Sequence, residues 1–465
     1  MDLWEPREHR GAMETSAQTL TGLTGPVLRP GDPGFEEELV GYQTAYTHRP
    51  SVVVGAADAE DVRRAVAHAA AEDLPVGVQL TGHGLSVAAD GGVLVSTRRM
   101  TDVHVDPEAR TARVAAGARW GHVIDAAGPH GLAPLSGSTP TIGAVGYTLG
   151  GGLGLLARQY GYAADHVRSL EVVTADGRLR EVGPGDELYG ALLGGGGNFG
   201  IVTALVVDLF PVPALYGGQL VFDTPLVAES LETWRRWTAG VPEEMTSSVT
   251  LIPFPDIPQL PEFLRGRYVA SFRIAYNGPA EEGERLVAPL RGIGPRLDDT
   301  LRVLPYTESG AIHDEPEEPN AYAGTSAFLD ELPSEALKAL LEAVGPDSPV
   351  PAFTEIRHLG GALRRGAEGI TVDHRGADFL VAAVSGYFPG VGPDEVRARH
   401  GLLREALAPW TVGHSLNFLY GDGGHADETQ VRAGYEAGTY ERLAALKATY
   451  DPRNIFRLNR NVRPA

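Results

Sequence analysis

The sequence predicts an α+β fold, and three observations carry that expectation. From residue 52 onward, short apolar runs of strand length alternate with stretches of helical period. Two dense glycine runs, 137–154 and 194–200, interrupt the alternation with backbone that carries few side chains. Near Pro211 the glycine clusters stop, and longer helices and amphipathic strands take over until about Trp410.

Taken in order, residues 1–32 are polar and rich in glycine and proline, which reads as a loose arm. Residues 52–54 form a buried strand. Asp58 caps the next helix, whose apolar face is Val62, Ala65, Val66, Ala69 and Ala70. Residues 75–80 are a second strand, followed at once by Thr81-Gly82-His83-Gly84. Val93–Ser96, 103–105 and 113–116 read as strands, and Trp120–Ala127 as a helix stopped near Gly128. Beyond the first glycine run, strands 170–174 and Leu179–Val182 flank a turn. A short helix, 188–193, then leads through the second glycine run to strand 201–209.

The middle of the chain has helices at 227–239, 279–291, Ser334–Val344 and 394–407. In Tyr268–Tyr276, Tyr268, Ala270, Phe272, Ile274 and Tyr276 share one face, while Ser271 and Arg273 share the other. Strands of this kind between helices suggest an antiparallel sheet covered on one side. The run 313–320, HDEPEEPN, reads as a solvated acidic loop, with a lid as the alternative. A closing helix, 439–449, leads to the tail DPRNIFRLNRNVRP, which reads as a capped segment docking on a domain.

With 465 residues, two or three packed units are expected. Hydrophobic residues at 43% and charged residues at 21% describe a globular chain, not a disordered one. A formal charge of −21 argues against nucleic acid and anionic membrane surfaces, which select basic patches. The absence of cysteine excludes disulfides, thiolate nucleophiles, Cys-ligated zinc and iron–sulfur clusters. No apolar signal region opens the chain and no apolar run is long enough to span a bilayer, so a cytoplasmic location is expected.

The glycine runs carry the chemistry. Their pattern is neither GxGxxG after a strand nor GxxxxGKS, so the Rossmann and P-loop readings do not fit. Such backbone serves either as a surface loop or as a cradle whose amide N–H groups face phosphates or carbonyls. His83, set between two glycines at a strand exit, is either a turn residue or an imidazole approached by a flat ring. As a nucleophile it would meet an electrophilic cofactor position. Asn459 and Asn461 offer amides to a polar ring edge.

Together these stretches resemble the berberine-bridge-enzyme-like flavoproteins of the vanillyl-alcohol-oxidase/p-cresol-methylhydroxylase superfamily. The resemblance spans most of the chain and rests on five motifs in order: Gly82-His83, 137–154, 194–200, 357–363 (RHLGGAL) and 451–464. It implies a two-part PCMH-type FAD-binding domain, 33–212 and 411–465, with a substrate domain of antiparallel sheet and helices inserted at 213–410. It implies FAD bonded covalently to His83. The surrounding bed would be Gln79, Leu80, Thr81, Gly82, Gly84, Leu85, Gly117, Ser138, Thr139, Ile142, Gly143, Gly146, Tyr147, Gly150, Gly151, Gly154, Gly200, Ile201, Val202, Asn417 and Asn459.

Three departures stand out. Thr139 occupies the position where many members carry a second, cysteinyl flavin link, so attachment is expected through His83 alone. Gln79 stands where an arginine usually opens the histidine-bearing loop. Ser415 replaces the family's frequent catalytic tyrosine, two residues before Asn417.

The implied activity is an FAD-dependent oxidase. A secondary-metabolite-like small molecule would give a hydride to flavin N5, and dioxygen would take the electrons to yield hydrogen peroxide. With serine at 415, the candidates for proton removal are Tyr147 first, then Tyr387, Arg357 and His358. The rival readings are a flavin-bearing sequestering protein with little turnover and a nicotinamide-dependent reductase, for which no Rossmann fingerprint is present. Substrate identity and oligomeric state are not legible.

Overall fold

A computed structural model of the chain describes residues 20–420 and 428–465. Three sheets organise it. The first holds strands Val27–Leu28, Val52–Gly55, Val93–Ser96 and Val76–Gln79, in that order across the sheet. Its last three strands are mutually parallel and almost wholly apolar, and every residue in them but Val78 is buried. Val27–Leu28 pairs antiparallel with Val53 and Val54, so this part of the expected loose arm is an edge strand. Residues 1–19 lie outside the described residues.

The second sheet is antiparallel: Val103–Asp106, Thr111–Ala115, Ile201–Asp208, Val167–Val173 and Leu179–Val182. Helix Ala59–Ala71 joins the two, its Val62, Ala65, Val66 and Ala69 packing with Val52, Val93, Val173 and Ile201 in one core. Asp58 caps it by accepting from the Asp61 N–H at 2.9 Å. Asp61 in turn accepts from the Thr24 and Gly25 amides, each at 2.9 Å, which anchors the entering chain.

The third sheet runs Asp298–Asp299, Ala214–Phe222, Tyr268–Tyr276, Met245–Pro253, Phe353–His358, Phe379–Gly386, Tyr322–Leu329 and Thr411–Gly413, with Arg302–Pro305 also on Ala214–Phe222. One face is the expected helix-covered one: Val249, Leu251, Phe272, Ile274 and Val381 pack with Trp234, Leu337, Leu340 and Leu403. Thr411–Gly413 edges this sheet through Phe328 and Leu329, so the boundary expected after residue 410 cuts off its last strand. Among the described residues no helix is long and apolar enough to cross a membrane.

The opposite face of the large sheet is the one that matters for function. Antiparallel register places Gln219, Arg273, Ser248 and Arg357 in one row across four strands. Val221, Ser271, Thr250, Glu355, Ala382 and Ser326 form the adjacent row across six. Period-two alternation thus separates an apolar, helix-covered face from a polar one.

Burial on the helix-covered side carries a pH consequence. His400 is fully buried, with Nε2 3.2 Å from the Ser385 hydroxyl, and burial together with Arg404 pushes its pKa down to about 4. The folded pKa lies below the unfolded one, so this contribution is complete above the unfolded pKa and is lost as pH falls toward 4. From the shift alone, it is on the order of 3 kcal/mol. Urea unfolding should show wild-type stability falling as pH drops from 6.5 to 4, with His400→Leu giving a shallower decline. Parallel slopes would show that His400 does not titrate this way.

Candidate functional site

The first glycine run is not one loop, because Ala144–Leu149 forms a helix inside it. Its glycines, and others assigned to a cofactor bed, fall into distinct groups. A Cβ at Gly117 would lie 2.1 Å from the Thr97 carbonyl oxygen, one at Gly154 2.0 Å from that of Ser136, and one at Gly200 2.5 Å from that of Val173. These three let backbone cross backbone. Gly143 and Gly150 seat neighbouring side chains, since added Cβ atoms would meet Leu80 Cδ2 at 2.8 Å and Asn417 Oδ1 at 1.9 Å. Gly151, at φ +105°, packs against Tyr162 and Val372. Gly146 and Gly196 face open space, with nothing within 4 Å.

His83 lies on the loop that follows strand Val76–Gln79, which Gly82 turns at φ +70°. Its ring stacks on Tyr42 at 4.1 Å and 10°. Its carbonyl accepts from the Tyr322 hydroxyl at 2.7 Å. Burial, with Arg119 adding to it, pushes the imidazole pKa down to about 4, so the ring is neutral at neutral pH. Its Nδ1 is buried without a hydrogen-bond partner. Among the described residues, the amides of Gly82, His83 and Gly84 donate to no protein acceptor. Arginines surround the loop: Arg98 Nε reaches the Leu80 carbonyl at 3.4 Å, and Arg460 donates to that of Gly84 at 3.2 Å. Gln79 does not face the site. It binds His48 at 2.8 Å and donates to the Leu39 carbonyl at 3.1 Å, bracing the loop from behind.

Tyr147, Arg357, Tyr420 and Arg460 are half-buried. Asn417 donates to the Tyr147 carbonyl at 3.1 Å, and Asn459 to that of Gly197 at 3.1 Å, with its Oδ1 left unpaired. Leu80 and Thr81 approach Gly143, while Leu85 is half-buried and donates its N–H to the Gly82 carbonyl. Ile142 is half-buried against the core, and Ile201 and Val202 point into cores, leaving only their backbone for a ligand. Ser138 and Thr139 are buried; the Thr139 hydroxyl is 3.1 Å from that of Thr141.

Between Ser138, Gly154 and the polar sheet face lies a cavity lined also by Ser248, Arg273, His313, Glu355, Arg357 and His358. A larger cavity, about 560 Å³, continues over the outer strands past Gln219, Ser271, Phe254 and Phe263, and Arg273 and His313 line both. Arg357 Nε holds Glu355 at 2.7 Å and its guanidinium lies 5.0 Å above the Phe418 ring. Burial alone would raise the Glu355 carboxyl, but Arg357, His313 and Arg273 outweigh it and hold the pKa near 2.

The expected bases fare differently. The Tyr147 hydroxyl is buried without a partner, its ring set edge-on to Trp120 at 5.6 Å. An added Cβ on Gly154 would sit 2.8 Å from that hydroxyl, so it points into packed backbone. Burial pushes its pKa up, only partly opposed by Arg357. Packing thus keeps the Tyr147 phenol protonated, with no acceptor for its proton among the described residues. His358 is constrained too. Arginine only donates, so the 2.9 Å contact from Arg158 occupies the Nε2 lone pair, and burial with Arg158 drives the pKa to about 3. Tyr387 packs against Ala323, Val350, Val391 and Val396 and is absent from the cavity lining. Ser415 is held by its backbone, its N–H donating to Ser326 Oγ at 3.0 Å, at the end of the Glu355 row. Arg357 does line the cavity, as a cation paired to Glu355 and not as a base.

The acidic run 313–320 is mostly exposed, as a solvated loop should be, with two exceptions: His313 is buried and Glu315 half-buried. Asn320 exchanges backbone bonds with Tyr42 and Thr44, each at 2.9 Å, which anchors the end of the loop. A run of charge carries no direction, so the sequence offered no signal for this. Tyr42, Arg119, Arg273, Glu315, Glu355 and Arg460 were likewise not singled out for the site, because none lies in a glycine motif.

The donor set fits FAD. Unpaired amides and arginines around 80–84 suit a diphosphate, open glycines suit a flat ring, and unpaired amide oxygens suit its polar edge. The comparisons agree. Residues 50–183 match the family described as FAD binding domain, and residues 424–463 match berberine and berberine like. (R)-6-hydroxynicotine oxidase of Paenarthrobacter nicotinovorans is 27% identical over 97% of this chain and 99% of its own length. The crystal structure of 6-hydroxy-D-nicotine oxidase from Arthrobacter nicotinovorans superposes with a TM-score of 0.81 at 25% identity, covering 96% and 99% of the two chains. A xylooligosaccharide oxidase from Myceliophthora thermophila C1, solved with xylobiose, shares the fold with a TM-score of 0.82 at 22% identity, over 98% and 99%.

Proposed function

This chain belongs to the berberine-bridge-enzyme-like FAD-linked oxidoreductases, and from that premise we propose that it is an oxidase carrying FAD covalently on His83. One observation carries the reading: a neutral imidazole, stacked on Tyr42 and with no partner for its Nδ1 among the described residues, sits in a loop whose amides donate to no protein acceptor. Bound FAD supplies a hydride acceptor and returns the electrons to dioxygen, giving hydrogen peroxide.

The protein's own residues do the rest. Tyr42 fixes the His83 ring by stacking, and Arg119 helps keep it unprotonated, so its lone pair is available at neutral pH. Thr139 offers no comparable nucleophile, which leaves His83 as the single link. Gly82, His83 and Gly84 amides with Arg98 and Arg460 hold the diphosphate. The substrate, a small alcohol, amine or quinol, lies against Ser248, Arg273 and Arg357 and enters along the outer cavity. Sheet and glycine run together exclude bulk water from it.

The test is direct. Acid-precipitated protein should stay yellow, and mass spectrometry should find the flavin on the peptide containing His83. His83→Ala should still bind FAD but release it on denaturation. Anaerobic mixing with (R)-6-hydroxynicotine, xylobiose, simple alcohols and hydroquinones should bleach the flavin with at least one of them. A protein that sequesters its ligand without oxidising it would stay yellow throughout, and flavin washing free of the wild type would defeat the covalent assignment.

A further inference from the structure

Glu315 belongs to the acidic run, yet its carboxylate is turned inward. The side chain keeps 34% of its surface accessible, and its neighbours Ser138 and His313 line the inner cavity. Ser138, from the glycine run, lies close enough to lower its pKa. His313 Nδ1 lies 3.7 Å from Glu315 Oε1 and 3.9 Å from Glu355 Oε1, so both carboxylates approach the same ring nitrogen. The loop is fixed by Tyr42, whose hydroxyl donates to the Pro316 carbonyl at 2.8 Å and whose ring carries His83.

The two carboxylates have opposite surroundings. Glu355 is committed to Arg357 and stays ionised. Among the described residues no guanidinium is bonded to Glu315; burial raises its pKa, Ser138 opposes, and the charge of Glu355 adds to the rise. Arg273 and Arg357 act on it only through space, and Tyr42, Tyr322 and Tyr420 complete its neighbours. Pairs of carboxyls pushed apart in this way divide the roles of fixed charge and proton carrier.

We propose that Glu315 is the catalytic base, taking the proton from the substrate's O–H or N–H as the adjacent carbon gives up its hydride. This rests on the oxidase reading above. The X–H bond breaks with its proton passing to the Glu315 carboxylate, and the electron pair left on X forms the C=X bond. The C–H bond breaks with both electrons leaving as hydride, for which bound flavin would be the two-electron acceptor. Glu355 and Arg357 hold the substrate without exchanging its proton. The missing tyrosine at position 415 is thereby replaced from a different element.

Two measurements on the holoenzyme decide it. Infrared difference spectra taken from acid to neutral pH should show a protonated-carboxyl band that titrates above the ordinary glutamate range. That band should vanish in Glu315→Gln and persist in Glu317→Gln, an exposed neighbour on the same loop. Anaerobic flavin reduction by the compounds named above should slow about 10²- to 10³-fold in Glu315→Gln, with partial rescue in Glu315→Asp. In the wild type the rate should fall as pH drops through the Glu315 pKa, because the protonated acid cannot accept, and this acid limb should disappear in Glu315→Gln. A band that survives Glu315→Gln, or wild-type rates with an unchanged acid limb, overturns the assignment. Yellow protein that none of the compounds reduces defeats the oxidase reading, and the base with it.

Discussion

Lys447→Met should lower the stability of the folded chain by about 3–5 kcal/mol, the typical cost of removing one partner from a buried ion pair. Lys447 is fully buried, pairs with Asp451 at 2.8 Å, and also donates to the Phe456 carbonyl at 2.9 Å and, at bonding distance, to that of Asn198. Asp451 in turn accepts from the Ile455 and Phe456 amides, each at 2.9 Å. Methionine fills the space but leaves a buried carboxylate without its cation. The loss does not stay local. Asn198, on the second glycine run, donates to the Arg460 carbonyl at 3.0 Å and accepts from the Val462 N–H at 2.8 Å. Loosening this anchor displaces Asn459 and Arg460, so bound flavin should fall together with the urea midpoint. Wild-type stability in the variant would mean that the pair does not anchor the tail.

The second large effect separates two kinds of glycine that look alike in sequence. Gly146→Leu should leave folding intact, because nothing lies within 4 Å of its Cβ direction, and should reduce flavin occupancy at least tenfold by filling that open space. Gly117→Ala should do the reverse. Its Cβ would meet the Thr97 carbonyl oxygen at 2.1 Å and the Met100 carbonyl oxygen at 2.8 Å, backbone atoms that cannot rotate aside. A loss of about 3 kcal/mol or more is expected, as for severe overpacking, with FAD binding lost only as folding is lost. Absorbance per mole of protein and thermal midpoints, measured on both variants, separate the outcomes. Full flavin in Gly146→Leu would place the open side of that glycine away from the cofactor.

Local pattern determined much of this protein by itself. Val93–Ser96, Trp120–Ala127, Leu179–Val182, Tyr268–Tyr276 and Ser334–Val344 form as their periodicity demands, since period and capping are properties of neighbouring residues. The glycine runs and Gly82-His83-Gly84 were legible for the same reason: a backbone without side chains announces itself in sequence. What the sequence did not reveal arises between distant segments. Val27–Leu28 is an edge strand only because Val53 and Val54 lie beside it. Tyr147 looked like a base because it sits among glycines, but packing against Trp120 turned its hydroxyl away from any proton partner. Glu315 looked solvated because it sits among charges, while Tyr42 and Ser138, more than 170 residues away, draw it inward. The tertiary structure decided these points because register across a sheet, and burial beneath a remote loop, set which polar group meets water and which meets a ligand.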